Sequence, residues 1–228
     1  MQFICTQYFF KTVPLEKVSF CLKSTLSHDS EFWSCLFSWH PTLMTIAMMF
    51  LMFEAIMLFN QQSSLFLSWS RLIRGTIHGV MMFFGVVCAA GGFTAIYLNK
   101  DRNNKPHFQT WHSWFGVGTL CYLILQTIGG IGLKYYNIFR LPAKLVDMKL
   151  YHATSGLLAF TGISITVYLA LFSEWFSSVA DGTTWFACVA CLSCMALTVM
   201  MQVTSNYMPQ TKKVPQNVDT RPKHGKKK

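Results

Sequence analysis

Residues 75–98 read GTIHGVMMFFGVVCAAGGFTAIYL, twenty-four consecutive positions without one Asp, Glu, Lys or Arg. At about 1.5 Å per residue, a helix of that length crosses the roughly 30 Å of a bilayer's hydrocarbon core. One polar ring, His78, stands in its first turn. Four more stretches repeat the pattern, at 41–59, 111–133, 150–172 and 184–206. The fold class that follows is an all-α integral membrane protein, an antiparallel bundle of five evident spans.

Composition supports this. Hydrophobic residues make up 52% of the 228 positions and charged residues 12%, against about 25% in ordinary soluble domains. Such a chain has too few charges to clothe a water-facing surface, and its middle is too apolar to be disordered. Nucleic acid is not an expected partner: the basic C-terminal run carries no aromatic stacking platform. The expected surroundings are the lipid bilayer. Residues 1–38 add no sixth span, because Lys11, Pro14, Glu16, Lys17 and Lys23 interrupt every apolar run. They do not read as a signal peptide either. Three regions follow: an atypical N-terminal segment, 1–35; a transmembrane domain, 36–207; and a basic tail, 208–228, predicted disordered.

Orientation is read from Lys and Arg in alternate connections. The N-terminal segment and the 99–110 and 173–183 loops together hold six. The 60–74 and 134–149 loops and the tail hold thirteen, seven of them between Lys212 and Lys228. The second side is therefore cytoplasmic, and the net charge of +10 is chiefly an orientation signal.

Four of the seven histidines, His40, His78, His112 and His152, open four successive spans. An imidazole at the mouth of a membrane helix is costly and marks function; for any one of them, an interfacial ring on a wet helix end is the plain alternative. Because the spans alternate in direction, His40 and His112 share the non-cytoplasmic side, and His78 and His152 the cytoplasmic side. Two imidazoles at one depth on different helices are what a six-coordinate haem iron takes, so the pattern predicts two haem b groups, one above the other. Zinc fits poorly, since each pair lacks a Cys or carboxylate. Gly116 and Gly156 lie four residues after His112 and His152, and Gly75 three before His78. They leave room for a flat macrocycle, or serve ordinary small-residue helix packing.

The positions fourteen beyond each His, almost four turns on, are Glu54, Gly92, Gln126 and Thr166. None is His, so each helix offers one ligand, unlike respiratory-type cytochrome b bundles. Glu54 and Gln126 fall near the His-bearing faces, where they can meet a haem edge or water. For Glu54, a pairing with Arg71 or Arg74 is equally open. The cysteines Cys88, Cys121, Cys188, Cys191 and Cys194 read as small apolar packing residues. Cys5, Cys21 and Cys35 carry no reading.

Phe37-Ser38-Trp39-His40-Pro41, Ile77-His78-Gly79, Trp111-His112-Ser113-Trp114 and Tyr151-His152-Ala153-Thr154-Ser155-Gly156 together resemble the cytochrome b561 family, over about residues 36–207. Among its members, the animal domain-containing subgroup is most similar, through Glu54 and the Lys149-Leu150-Tyr151-His152 context. The resemblance implies six helices, the middle four forming a di-haem core, and here the first is not evident. It also implies an ascorbate-dependent transmembrane oxidoreductase that takes electrons from cytosolic ascorbate and reduces monodehydroascorbate or ferric iron on the lumenal side. It further suggests an endoplasmic reticulum or vesicle membrane and allows a homodimer.

Arg71, Arg74, Lys144 and Lys149 ring the cytoplasmic mouth and are candidates to hold the ascorbate anion. The positive-inside rule accounts for basic residues there equally well. Arg74 and Lys149 lie within about one turn of His78 and His152. On the opposite side Lys105 and His107, beside Lys100 and Arg102, are candidates for the acceptor. The rival functions are a non-catalytic haem-binding membrane protein and a metal transporter, the second disfavoured because the histidines alternate in side. The orientation has a direct check: an epitope placed after Lys228 should be digested by protease added outside sealed microsomes, and protection of the epitope would reverse the assignment of sides.

Overall fold

The structure, a computed structural model, describes residues 36–60, 68–140 and 143–207. All regular elements among these residues are helices. Five are long and apolar enough to cross a membrane. They are α1 (Leu36–Met57), α2 (Arg71–Arg102), α3 (Trp111–Lys134), α5 (Leu145–Leu171) and α7 (Gly182–Tyr207). Two short helices, α4 (Tyr136–Phe139) and α6 (Glu174–Val179), lie in the connections. The five expected spans are all present. Their ends are shifted by a few residues because wet, capped turns extend beyond the apolar stretch. The expectations for 1–35 and 208–228 concern residues outside the described ones, among them Cys5, Cys21, Cys35, His28 and His224.

Caps fix where the helices begin. Ser70 Oγ accepts from Ile73 N at the start of α2. Thr110 and Ser113 form a reciprocal capping box on α3, and Ser173 Oγ accepts from Phe176 N on α6. Each satisfies an N–H that the helix itself leaves without a partner. In α3 this pins the turn that carries His112.

α1 is not a uniform helix. Pro41 lies inside it and lacks the N–H that would bond the carbonyl four residues back. Thr42 Oγ1 donates to Ser38 O at 2.8 Å and Thr45 Oγ1 to Pro41 O at 2.7 Å. The following segment, Ile46–Met52, is wound as a π-helix. This wider winding places more residues in each turn, so the register beyond it is advanced relative to an ordinary α-helix.

The bundle is built from two antiparallel pairs, α1 with α2 and α3 with α5. α7 packs on α5 and the end of α1. Met48, Met49, Phe53, Phe160, Leu171, Cys188, Leu192 and Val199 form one buried cluster. Ala47, Met52, Ala89 and Leu123 form a second, between the two pairs. Outward-facing residues are as apolar as the core: Leu125 and Ile128 on α3 are 63% and 60% exposed, as expected where lipid replaces water as the neighbour. Cys188 packs as expected, but Cys121 faces outward. Cys191 corrects the sequence reading, because it is disulfide-bonded and not simply a packing residue.

α1 and α2 approach closely at Gly92, where an added Cβ would lie 3.3 Å from His40 O and 3.4 Å from Leu43 Cβ. At Gly79 a Cβ would meet nothing within 4 Å. Gly92→Val should therefore cost about 1–3 kcal/mol as an overpacked interface, whereas Gly79→Ala should be close to neutral. Thermal aggregation of the detergent-solubilised variants compares the two.

Candidate functional site

The four histidines come together as two pairs. His40 and His112 have ring centroids 6.1 Å apart with planes at 83°. His78 and His152 are 6.4 Å apart with planes at 85°. Two metal–nitrogen bonds of about 2.0 Å, with about 1.15 Å from each nitrogen to its ring centre, separate such centroids by roughly 6.3 Å. Both gaps fit one metal atom between two imidazoles. Among the described residues no group of three or more His, Cys, Asp or Glu gathers to hold a metal, so each pair stands alone.

A regular scheme of hydrogen bonds orients the rings. His40 Nδ1 donates to Gly92 O at 3.0 Å, and His78 Nδ1 to Ala55 O at 2.9 Å. His112 Nδ1 donates to Thr166 O at 2.9 Å. A carbonyl can only accept, so in these three rings the proton sits on Nδ1 and Nε2 keeps its lone pair. This is the usual outer-shell arrangement of a metal-binding imidazole.

The acceptors follow from helix geometry. Gly92 and Thr166 lie fourteen residues beyond His78 and His152 on their own helices. In each antiparallel pair, one helix contributes a ring at its start and, almost four turns on, a carbonyl for its partner's ring. On α1 the expected position is Glu54, but the acceptor is Ala55, one residue further along. The π-wound segment between His40 and Ala55 accounts for the extra residue.

His152 departs from the scheme. Its Nδ1 lies 3.2 Å from Gln126 Nε2, which also donates to His152 O at 2.7 Å. Ser155 Oγ donates to Gln126 Oε1 at 2.7 Å. Gln126, expected to meet a haem edge or water, contacts the His152 ring. Of the two readings of the glycines, helix packing describes Gly156. A Cβ on Gly156 would lie 3.0 Å from Gln126 Nε2, so Gly156 admits that amide, whereas one on Gly116 would lie in ordinary contact, 3.4 Å from Thr166 Cγ2. Gly75 alone of the three borders open space. Gly130, which the sequence reading missed, admits the His152 ring, with Cε1 3.1 Å from a would-be Cβ.

The charged candidates separate clearly. Arg74 is half-buried; its guanidinium makes one long bond to Leu58 O at 3.5 Å, and its buried Nε has no partner. It reaches that carbonyl and not Glu54, so of the two pairings left open for Glu54 the one with Arg74 is not seen among the described residues. Arg71, Lys144 and Lys149 are exposed. Lys134, not singled out from sequence, reaches Thr76 Oγ1 at 3.5 Å, two residues from His78. At the opposite end the His107 ring stacks on Tyr97, with centroids 4.3 Å apart and planes at 23°. Lys100 Nζ closes the loop onto Pro106 O at 3.2 Å, while Lys105 is exposed. A buried Trp39 Nε1 beside His40 also lacks a partner. Unpartnered buried donors next to both His pairs suit a ligand that brings acidic groups of its own.

Two imidazole pairs stacked in one bundle, with Nδ1 held by a carbonyl in three of the four rings, are the pattern of a membrane-embedded cytochrome of the b type. The model of the eukaryotic cytochrome b561 family matches residues 39–177, and the chain belongs to that family. It is 39% identical over 176 residues to the transmembrane reductase CYB561D2 of Mus musculus, covering 77% of this chain and 78% of that protein. The human CYB561D2 matches at the same identity and coverage. The plasma membrane ascorbate-dependent reductase CYBRD1 of Xenopus tropicalis is 26% identical over 141 residues, 59% of this chain and 47% of that protein.

The pairing generates a specific expectation. His40→Ala and His112→Ala should each remove the same half of the bound haem. His78→Ala and His152→Ala should each remove the other half, as read by pyridine haemochrome content and redox titration. Four distinct lesions, or total loss from every variant, would refute the pairing.

Proposed function

We propose that the chain is an ascorbate-dependent transmembrane oxidoreductase, with two haem b groups held by His40 and His112 on one side and by His78 and His152 on the other. The observation that carries this is the pair of imidazole gaps, 6.1 and 6.4 Å between centroids, with three of the four Nδ1 atoms held by main-chain carbonyls. Haem bound there supplies two one-electron carriers in series across the hydrocarbon. The names of the relatives, transmembrane reductase and ascorbate-dependent reductase, support the same reading.

The protein's own groups perform the rest. Helix pairs hold the rings rigidly, so little reorganisation accompanies a change of charge. The packed Met48, Met52, Phe53, Leu123 and Phe160 keep water from the middle of the bundle. At the cytoplasmic mouth Arg74, with its buried unpartnered Nε, holds the ascorbate anion. The exposed Arg71, Lys144 and Lys149 raise the local concentration of anions. One electron and one proton leave ascorbate, giving monodehydroascorbate. On the lumenal side one electron reduces ferric to ferrous iron, or with a proton returns monodehydroascorbate to ascorbate. There Lys105 and the Tyr97–His107 stack face the acceptor. An endoplasmic reticulum or vesicle membrane with a cytosolic C-terminus belongs to the same reading, its orientation resting on the distribution of Lys and Arg.

Purified protein in vesicles loaded with a ferric chelate tests the proposal. Ascorbate added outside should produce ferrous iron inside, and its failure to do so with haem-loaded protein would make the chain a non-catalytic haem protein. Arg74→Gln should raise the apparent KM for ascorbate about tenfold, the loss of one charge-assisted contact, with little change in kcat. An unchanged KM would remove Arg74 from the donor site.

A further inference from the structure

The four rings are held by two kinds of partner. Three meet main-chain carbonyls, which accept and do nothing else. The fourth, His152, meets the primary amide of Gln126, which both donates and accepts. Gln126 occupies the position, fourteen beyond His112, whose equivalents on α2 and α5 contribute carbonyls. Its side chain is inserted where the other helices use main chain.

The niche for it is built. A Cβ at position 156 would lie 3.0 Å from the amide nitrogen, so Gly156 makes the space. Ser155 Oγ and His152 O hold the two ends of the amide at 2.7 Å each. Ser155 Oγ also lies 3.2 Å from His152 O. Gly130 leaves the ring its place on the other side. Every group in this ring of contacts is within reach of another, so the amide is held at both ends while its nitrogen faces Nδ1.

We infer that Gln126, anchored by Ser155, is the positioning residue of His152, and that it sets the potential of the haem on the His78–His152 side separately from that of the other haem. This rests on the proposed di-haem function. The argument is one of proton placement. With a proton on Nε2 the bare Nδ1 accepts from the amide N–H. With Nε2 bound to iron the proton sits on Nδ1, and the amide must turn its oxygen to it. Ser155 Oγ then accepts from the amide nitrogen and donates to His152 O, and the amide oxygen must draw back from the His152 carbonyl that the amide nitrogen now meets at 2.7 Å. A carbonyl permits only the second state. The basicity of His152, and through it the stability of ferric over ferrous iron, thus depends on a side chain that substitution can change.

Spectroelectrochemical titration of the haem-loaded protein, with electron paramagnetic resonance of the oxidised form, tests this. Gln126→Glu, an acceptor of the same shape, should lower the midpoint of one haem only. Gln126→Leu should shift that same midpoint and the low-spin signal of the same haem, and Ser155→Ala should displace both observables in the direction of Gln126→Leu by a smaller amount. His152→Ala identifies which haem is affected. Potentials and signals unchanged in Gln126→Glu and Ser155→Ala, or equal displacement of both haems, would overturn the assignment even if Gln126→Leu fails to assemble. Wild-type protein that binds no haem would instead overturn the proposed function on which it rests.

Discussion

Everything in the bundle is organised around the hydrogen bond from an imidazole Nδ1 to an acceptor on the antiparallel neighbour. An imidazole buried among membrane helices is tolerated only if both nitrogens are satisfied. Committing Nδ1 to a carbonyl leaves Nε2 as the one atom seeking a partner. Three rings are committed in this way, and each bond also ties one helix of a pair to the other. The constraint that orients the rings therefore helps to set the register of the fold.

That register follows from arithmetic. Almost four helical turns separate the ring a helix carries near one membrane face from the acceptor it offers its partner's ring near the other, and the antiparallel pairs repeat the spacing. α1 meets it only through its π-wound segment, where Pro41 and the Thr42 and Thr45 back-bonds precede Ile46–Met52. π-bulges gather at functional sites in many helices. Here the purpose is visible, because Ala55, and not Glu54, receives His78.

Much of this was legible in the sequence because hydropathy and side alternation are one-dimensional signals. The spans, and the pairing of His40 with His112 and of His78 with His152, follow from counting along the chain. The positions fourteen beyond each His already marked Gly92, Thr166 and Gln126, although the reason was not apparent: a carbonyl acceptor leaves no trace in residue type. The π register on α1 was hidden because it comes from local winding. Gly130 and Lys134 were missed because their roles depend on which helix lies opposite. The charged candidates could be named but not ranked, since burial of the Arg74 Nε appears only once α1 has folded beside α2.

We propose that the two imidazole pairs, each with nearly perpendicular planes, would hold one iron apiece. Low-temperature electron paramagnetic resonance of the oxidised protein, quantified against protein concentration, tests it most directly. Two low-spin ferric signals per chain are expected, both of the large-gmax type that nearly perpendicular imidazole planes give. A high-spin signal from correctly folded protein, or a single low-spin haem per chain, would contradict it.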